Sequence, residues 1–229
     1  IFKNIFIMPN PGDCGSSLGA AALELYNKTG KLIDWKTPYL GHNIEGKYPI
    51  KKALKSLKEG ELFGIANGKA EFGPRALGNR TIMYDPSDPD GKDHVNLIKR
   101  REYFRPFAGS ILEEDALDWF DLRGMEETPH MMYAVNCQPG IEEKIPSIIH
   151  VDGTCRIQSV KREQNPLYYD LIKEFHKQTE CPIIFNTSFN LGGEPLVETL
   201  EDAVRTLQHS EIEYLYLPEY KKIVKVLNG

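Results

Sequence analysis

Short strand-like runs of only three to six residues, most of them apolar, recur along almost the whole chain, at 62–66, 81–84, 107–112, 155–160, 183–185, 214–217 and 223–227. Runs of that length predict strands, and they fall far short of the roughly twenty apolar residues a membrane helix needs. Segments of helical spacing lie among them, at 16–26, 50–59, 93–101, 113–120, 166–178 and after Thr199. In 50–59, Ile50, Leu54 and Leu57 share one face and four lysines face water. The acidic start of 113–120 suits a helix dipole. Pro166 suits a first helical turn, and Thr199 with Asp202 reads as a capping box. Strands and helices in mixed order predict an α/β or α+β fold, a mixed sheet flanked by helices, with the strand order left open. Asp152-Gly153-Thr154, between apolar stretches at 148–152 and 155–160, reads as the turn of a hairpin. Residues 27–48 dissolve into Gly, Pro and polar residues and read as a linker or domain crossing.

A length of 229 residues fits one large domain, or one domain with a fragment of a second. The chain opens at Ile1, and 5–8 already reads as a buried strand, followed by a turn-rich stretch and a helix with Gly19, Ala20 and Ala22 on one side for close packing. A chain that opens inside a strand is expected to have had sequence before it. Cys14, Cys137, Cys155 and Cys181 lie far apart with no C-x-x-C pair, which argues for free thiols in a reducing cytoplasm. The net charge of −5 argues against a general nucleic-acid binder. Yet five of the nine arginines fall between Arg75 and Arg105, while the nineteen lysines are scattered. Clustered guanidinium groups suit a local phosphate or carboxylate site. An ion-paired surface with Asp85, Asp88, Asp90 and Asp93 accounts for the same cluster.

Four constellations can carry chemistry. In Glu71-Phe-Gly-Pro-Arg-Ala-Leu-Gly-Asn-Arg80, glycines let backbone approach an anion while Arg75 and Arg80 bring charge; a structural turn with two surface arginines fits too. Lys99-Arg-Arg-Glu-Tyr-Phe-Arg105 ends a helix with four cations, partly as dipole capping, and Tyr103, Phe104 and Phe107 would shield a site from water. Around the hairpin, alternation pairs His150 with Asp152 and Arg156 with Gln158, polar groups that need partners or a ligand. His150 reads as a hydrogen-bonded histidine rather than a metal ligand. Asn186-Thr-Ser-Phe-Asn190, with Gly192-Gly193 behind it, offers neutral donors and acceptors suited to a ribose or phosphate, or a side-chain-capped turn. Walker loops, nucleophile elbows and G-x-G-x-x-G are missing from the sequence. The residues therefore point to a nucleotide or phosphate site built from Arg, Lys, Asn and Ser.

Together, Glu71 to Arg80, Lys99 to Phe107, His150-Val-Asp-Gly-Thr154 with Arg156, and Asn186 to Asn190 with Gly193-Glu-Pro195 resemble the carbamoyltransferases related to nodulation and antibiotic O-carbamoyltransferases. The similarity runs from about residue 1 to 224. It implies two domains in an intact enzyme. The first is an actin-like ATPase fold with a bound metal, usually iron, that passes a carbamoyl group to an acceptor hydroxyl. The second is a YrdC/Sua5-like domain that binds ATP, with Mg²⁺, and carbamoyl phosphate and forms carbamoyl-adenylate with release of pyrophosphate. By this resemblance, 1–28 is the strand–helix remnant of the first domain, 29–45 the linker and 46–229 the second domain.

Carried over residue by residue, Lys99, Arg105 and Arg156 match catalytic cations on the phosphates and carbamoyl oxygen. Arg75, Asn79, Arg80, Asn186, Ser188 and Asn190 match the surrounding ATP and carbamoyl phosphate site, and Asp13 matches a metal ligand of the first domain. Gly109 stands where proline is usual and Tyr103 where tryptophan is, and Cys155 is a further departure; none bears on the acceptor, which stays open. The acidic net charge without a long basic stripe argues against nucleic acid as a partner, and the lack of a long apolar run argues against a membrane. Two rivals remain: a non-catalytic nucleotide- or RNA-binding module of the same fold, and a phosphotransferase that would yield ADP.

Overall fold

Strands that are apolar on both faces must lie inside a sheet, and that requirement sets the centre of this one. The computed structural model describes residues 7–46, 49–217 and 222–225. In chain order its strands are β1 (Tyr39–Ile44), β2 (Phe63–Ala66), β3 (Gly68–Glu71), β4 (Arg80–Tyr84), β5 (Ala108–Leu112), β6 (Phe120–Asp121), β7 (Ala134–Cys137), β8 (Thr154–Val160), β9 (Ile183–Ser188), β10 (Tyr214–Leu217) and β11 (Lys222–Lys225). Its helices are α1 (Ser16–Thr29), α2 (Ile50–Lys58), α3 (Gly91–Ile98), α4 (Ala116–Trp119), α5 (Pro166–Thr179) and α6 (Leu200–Gln208).

Nine strands form one mixed sheet in the order β11-β10-β2-β4-β9-β5-β8-β7-β6. β10–β2 and β5–β8 run parallel, and the other neighbours antiparallel. β2, β4 and β5 are buried at every position, and β9 at all but its last. α5 packs on β5 and β9 with α2 beside it, while α6 packs on β10. This α/β architecture with flanking helices agrees with the expected class.

Local chemistry explains most helix ends. Asn165 accepts the Tyr168 N–H at 3.2 Å ahead of α5, and Pro166 takes the first turn. The capping box of α6 forms: Thr199 Oγ1 accepts from Asp202 N, and Asp202 Oδ2 accepts from Thr199 N at 3.0 Å. α3 ends at Ile98, three residues short of the expected 101, because Arg100 takes a left-handed φ of 53°.

Three local expectations are corrected. The 148–152 strand is absent: Pro146–Ile148 is a short 3₁₀ turn, and His150 N–H donates to the Thr154 carbonyl across a tight turn. Asp152 Oδ1 caps that turn by accepting from Thr154 N and Oγ1 at 3.0 and 2.7 Å. β8 instead pairs with β5 and β7, so His150 and Asp152 share no strand face. Within the stretch that reads as a linker, 39–44 forms β1, paired antiparallel with β3 outside the main sheet. Finally, α1 buries none of its residues, and Leu23 and Tyr26 stay exposed, so the expected close packing is not made among the described residues. Of the 5–8 strand, residues 5 and 6 lie outside the described residues, and 7 and 8 carry no strand.

Candidate functional site

The end of α3 is held by the loop after β9. Lys99 is buried, 2% exposed, and its Nζ donates to Asn190 Oδ1 at 3.0 Å, to Ser188 Oγ at 3.3 Å and to the Ser188 carbonyl. Ser188 Oγ in turn donates to Asn190 Oδ1 at 2.6 Å. Gly192 N–H donates to the Lys99 carbonyl at 2.7 Å, and a Cβ at Gly192 would stand 2.6 Å from the Arg100 carbonyl oxygen. Only glycine allows that approach. Burial, and then the neighbouring Arg101, push the Lys99 ammonium down to about 7.

The 72–79 loop is folded around a buried carboxylate. Glu71 Oε1 accepts from the N–H groups of Leu77, Asn79 and Arg80 at 2.7, 2.8 and 3.2 Å. Below the loop, β5, β8 and β9 each contribute a buried polar side chain. Ser110 Oγ donates to Gln158 Oε1 at 2.8 Å, and Asn186 Nδ2 donates to Ser110 Oγ at 2.8 Å and to the Ala76 carbonyl at 3.0 Å. Three polar groups inside an apolar sheet are tolerable because they bond to one another and to the loop, with Asn186 Oδ1 alone of their side-chain atoms left over.

Three arginines converge above this floor. Arg156 starts from β8, Arg75 comes from the loop, and Arg101 stacks over the Phe107 ring at 4.2 Å with Nε donating to Asn96 Oδ1 at 2.6 Å. The Nε atoms of Arg75 and Arg156 and Asn186 Oδ1 are buried and have no partner among the described residues. Burial lowers Arg75, and burial with Arg75 beside it lowers Arg156 to about 10. Burial, then Arg105, lowers Arg101 likewise to about 10. Like charges in a partly dry place call for an anion.

Two adjoining cavities result. A small one of about 70 Å³ is lined by Arg75, Arg101, Arg156, Asn186 and Ser188. A larger one of about 660 Å³ is lined by Lys99, Arg101, Arg105, Ser188 and Asn190. Arg101 and Ser188 face both. The second has the size of a drug-sized ligand site, whereas the first suits a small anion. A broader concavity between α2 and α5 carries Lys55, Lys58 and Lys177 beside Glu59 and Glu174; it is the solvated lysine face expected for α2, extended by α5.

The expected residues therefore separate. Arg75, Arg156, Asn186 and Ser188 meet at the small cavity, and Lys99, Arg105, Ser188 and Asn190 at the large one. Arg105 is half exposed and paired with Glu102 at 2.8 Å. Arg80 is corrected to a structural position. It is wholly buried, and its guanidinium donates to the carbonyls of His42, Asn67, Gly68, Asn79 and Glu198, leaving no N–H for a ligand. Asn79 likewise bridges Lys69 and Asn165 and lines neither cavity. His150 lies 3.1 Å from both the Phe107 carbonyl and Thr154 Oγ1, the hydrogen-bonded role expected of it. Asp13 is exposed, and no three metal-ligating side chains gather among the described residues, so those present do not make a metal site. Arg101, which faces both cavities, falls inside the Lys99–Arg105 run but is not among the residues carried over individually from the family. Phe107 is the signal for it, since a guanidinium stacks on such a ring.

The model of the carbamoyltransferase C-terminus matches residues 54–223. The chain belongs to the carbamoyltransferase C-terminal family. Among the relatives of this family member, nodulation protein NolO of Bradyrhizobium diazoefficiens is 36% identical over 240 residues, covering 94% of this chain and 44% of that protein. Nodulation protein NolNO of Sinorhizobium fredii is 37% identical over 246 residues, covering 96% of this chain and 36% of that protein. The chain thus spans less than half the length of these relatives. Among solved structures, full-length HypF in a phosphate- and nucleotide-bound form aligns with a TM-score of 0.53 at 21% identity, over 74% of this chain and 20% of that one. Sua5 of P. abyssi, complexed with L-threonine, aligns at 0.50 with 14% identity, over 72% and 46%. At such identities the likeness concerns the fold, and the fold is YrdC/Sua5-like as expected. No helix among the described residues is long and apolar enough to cross a membrane.

Proposed function

We propose that this chain binds ATP and carbamoyl phosphate and joins the carbamoyl group to the nucleotide as carbamoyl-adenylate, for transfer to an acceptor hydroxyl by another part of a longer enzyme. The observation that carries this reading is the convergence of Arg75, Arg101 and Arg156 on a small cavity, two of them with unpartnered buried Nε–H groups, beside a cavity large enough for a nucleotide. Membership of the carbamoyltransferase C-terminal family and the nucleotide-bound state of HypF support it.

In this reading the small cavity takes carbamoyl phosphate, and the large one takes ATP as its Mg²⁺ complex. Atom balance requires two bond changes. Carbamoyl phosphate gives up inorganic phosphate to water, leaving carbamate. A carbamate oxygen then attacks the α-phosphorus of ATP, the bond to the bridging oxygen breaks, and pyrophosphate leaves. Arg101 and Ser188, facing both cavities, stand where the two substrates would meet, and Arg105 would hold the polyphosphate, while Lys99, its three N–H groups spent on Ser188 and Asn190, lends its charge to the cavity wall. Such catalysis rests on positioned cations that stabilise developing charge. The first domain, with its metal and a ligand at Asp13, and the 1–28, 29–45 and 46–229 division belong to the same proposal.

Binding tests it directly. Calorimetric titration of the chain should find one site each for carbamoyl phosphate and MgATP. A well-folded chain that binds neither, yet binds RNA with a steep salt dependence, would favour the nucleic-acid module instead.

A further inference from the structure

We propose that Glu71 is a positioning residue that folds the 72–79 loop so that Arg75 is already aimed into the small cavity before any anion arrives. This rests on the reading of that cavity given above. Glu71 is the last residue of β3, only 7% exposed, and its Oε1 gathers N–H groups from positions six, eight and nine residues further on. One oxygen therefore ties together the far limb of the loop.

The same limb is held from the opposite side. Asn186 Nδ2 donates to the Ala76 carbonyl at 3.0 Å, and Tyr39 Oη and Gln158 Nε2 donate to the Leu77 carbonyl at 2.9 and 3.2 Å. Leu77 is thus gripped at both its peptide groups, its N–H by Glu71 and its C=O from β1 and β8. Gly73 and Gly78 turn the chain at φ of 138° and 111°, and a Cβ at Gly78 would stand 2.3 Å from a Tyr168 ring carbon. The backbone on the C-terminal side of Arg75 is fixed, while its Nε–H lacks a partner.

A simple charge-balancing role for Glu71 does not account for this. Arg80, at the start of β4, feels the Glu71 charge but spends its donors on backbone carbonyls, while Glu71 Oε1 accepts from backbone N–H groups, so no direct ion pair joins them. Burial pushes the Glu71 carboxyl up and its Oε2 has no partner among the described residues, while the three N–H donors to Oε1 act the other way and have one common effect, the shape of the loop. A loop ordered in advance spares the ordering entropy on binding.

The test is a double-mutant cycle with two ligands. Glu71→Gln keeps the side-chain shape and one acceptor oxygen but removes the charge that strengthens all three bonds. Wild type, Glu71→Gln, Arg75→Ala and the double variant are each titrated with carbamoyl phosphate and, separately, with MgATP. Glu71→Gln should weaken carbamoyl phosphate about tenfold while leaving MgATP, whose cavity Arg75 does not line, within about twofold. In the Arg75→Ala background, Glu71→Gln should add no further loss. Equal loss of both ligands, an effect that persists without Arg75, or unchanged carbamoyl phosphate affinity would overturn the proposal. A wild-type chain that binds no carbamoyl phosphate would overturn the reading of the cavity and this inference with it; binding with an inert Glu71 would overturn this inference alone.

Discussion

Arg75 and Arg80 stand in one sequence motif, yet one ends at the small cavity and the other inside a cage of carbonyl oxygens. Different losses follow. Arg156→Ala should weaken carbamoyl phosphate roughly tenfold to a hundredfold, the worth of a buried charged hydrogen bond. Arg105→Ala should cost only a few-fold, and against MgATP, because Arg105 is half exposed and already paired. Titration of both variants with both ligands checks this. The Lys99 ammonium adds a pH dependence. With its pKa brought down to about 7 by burial and by Arg101, it is charged below that pH and neutral above. MgATP affinity should therefore fall as pH rises through 7, and a flat profile from pH 6 to 9 would contradict the placement of Lys99. The same shift has a stability sign. Between about 7 and the unfolded lysine value the unfolded chain holds the extra proton, so this group makes the ligand-free fold more stable as pH rises through that window. That Arg, Lys, Asn and Ser build the site is legible in the sequence. Which arginine meets the ligand is not, because Arg75 and Arg80 are alike until Asn67, Gly68 and Glu198 are brought around one of them.

At the scale of elements, packing across the sheet explains an unusual residue. Gly109 lies in β5, and a Cβ there would stand 2.4 Å from Ile183 Cδ1 and 2.8 Å from Ile148 Cδ1. Gly109→Ala should therefore destabilise the fold by about 1–3 kcal/mol, the usual cost of overpacking. Ile183→Val, which removes the clashing methyl, should recover part of that loss, as measured by denaturant titration of the single and double variants. Central strands such as β4, β5 and β9 are legible because burial demands largely apolar runs, β8 because Cys155, Ile157 and Val160 stand among alternating polar residues, and the α6 cap because its residues bond within four positions. β1, β3, β6 and β7 are not: β3, β6 and β7 are short and partly exposed, and β1 buries Ile44 alone. The Asp152-Gly153-Thr154 signal does mark a turn. The strand expected before it does not form, and the partner of β8 is misjudged, since β5 lies more than forty residues away in sequence, beyond any local pattern.

For the whole molecule, the chain carries the cationic cavities but, among its described residues, no cluster able to hold a metal. Isolated and incubated with Fe²⁺, it should retain no stoichiometric iron after desalting, since one exposed carboxylate at Asp13 is a poor ligand set. Metal analysis of the desalted protein decides this, and tight one-to-one iron would mean that the metal site lies within the chain. Activation and transfer should separate in the same way. The most direct test of the central claim is pyrophosphate release from MgATP by this chain, with and without carbamoyl phosphate, beside Arg156→Ala. We predict release that depends on carbamoyl phosphate, yields AMP on breakdown of the adenylate, and falls at least about tenfold in the variant. Release of ADP, or turnover indifferent to carbamoyl phosphate and to Arg156, would contradict it.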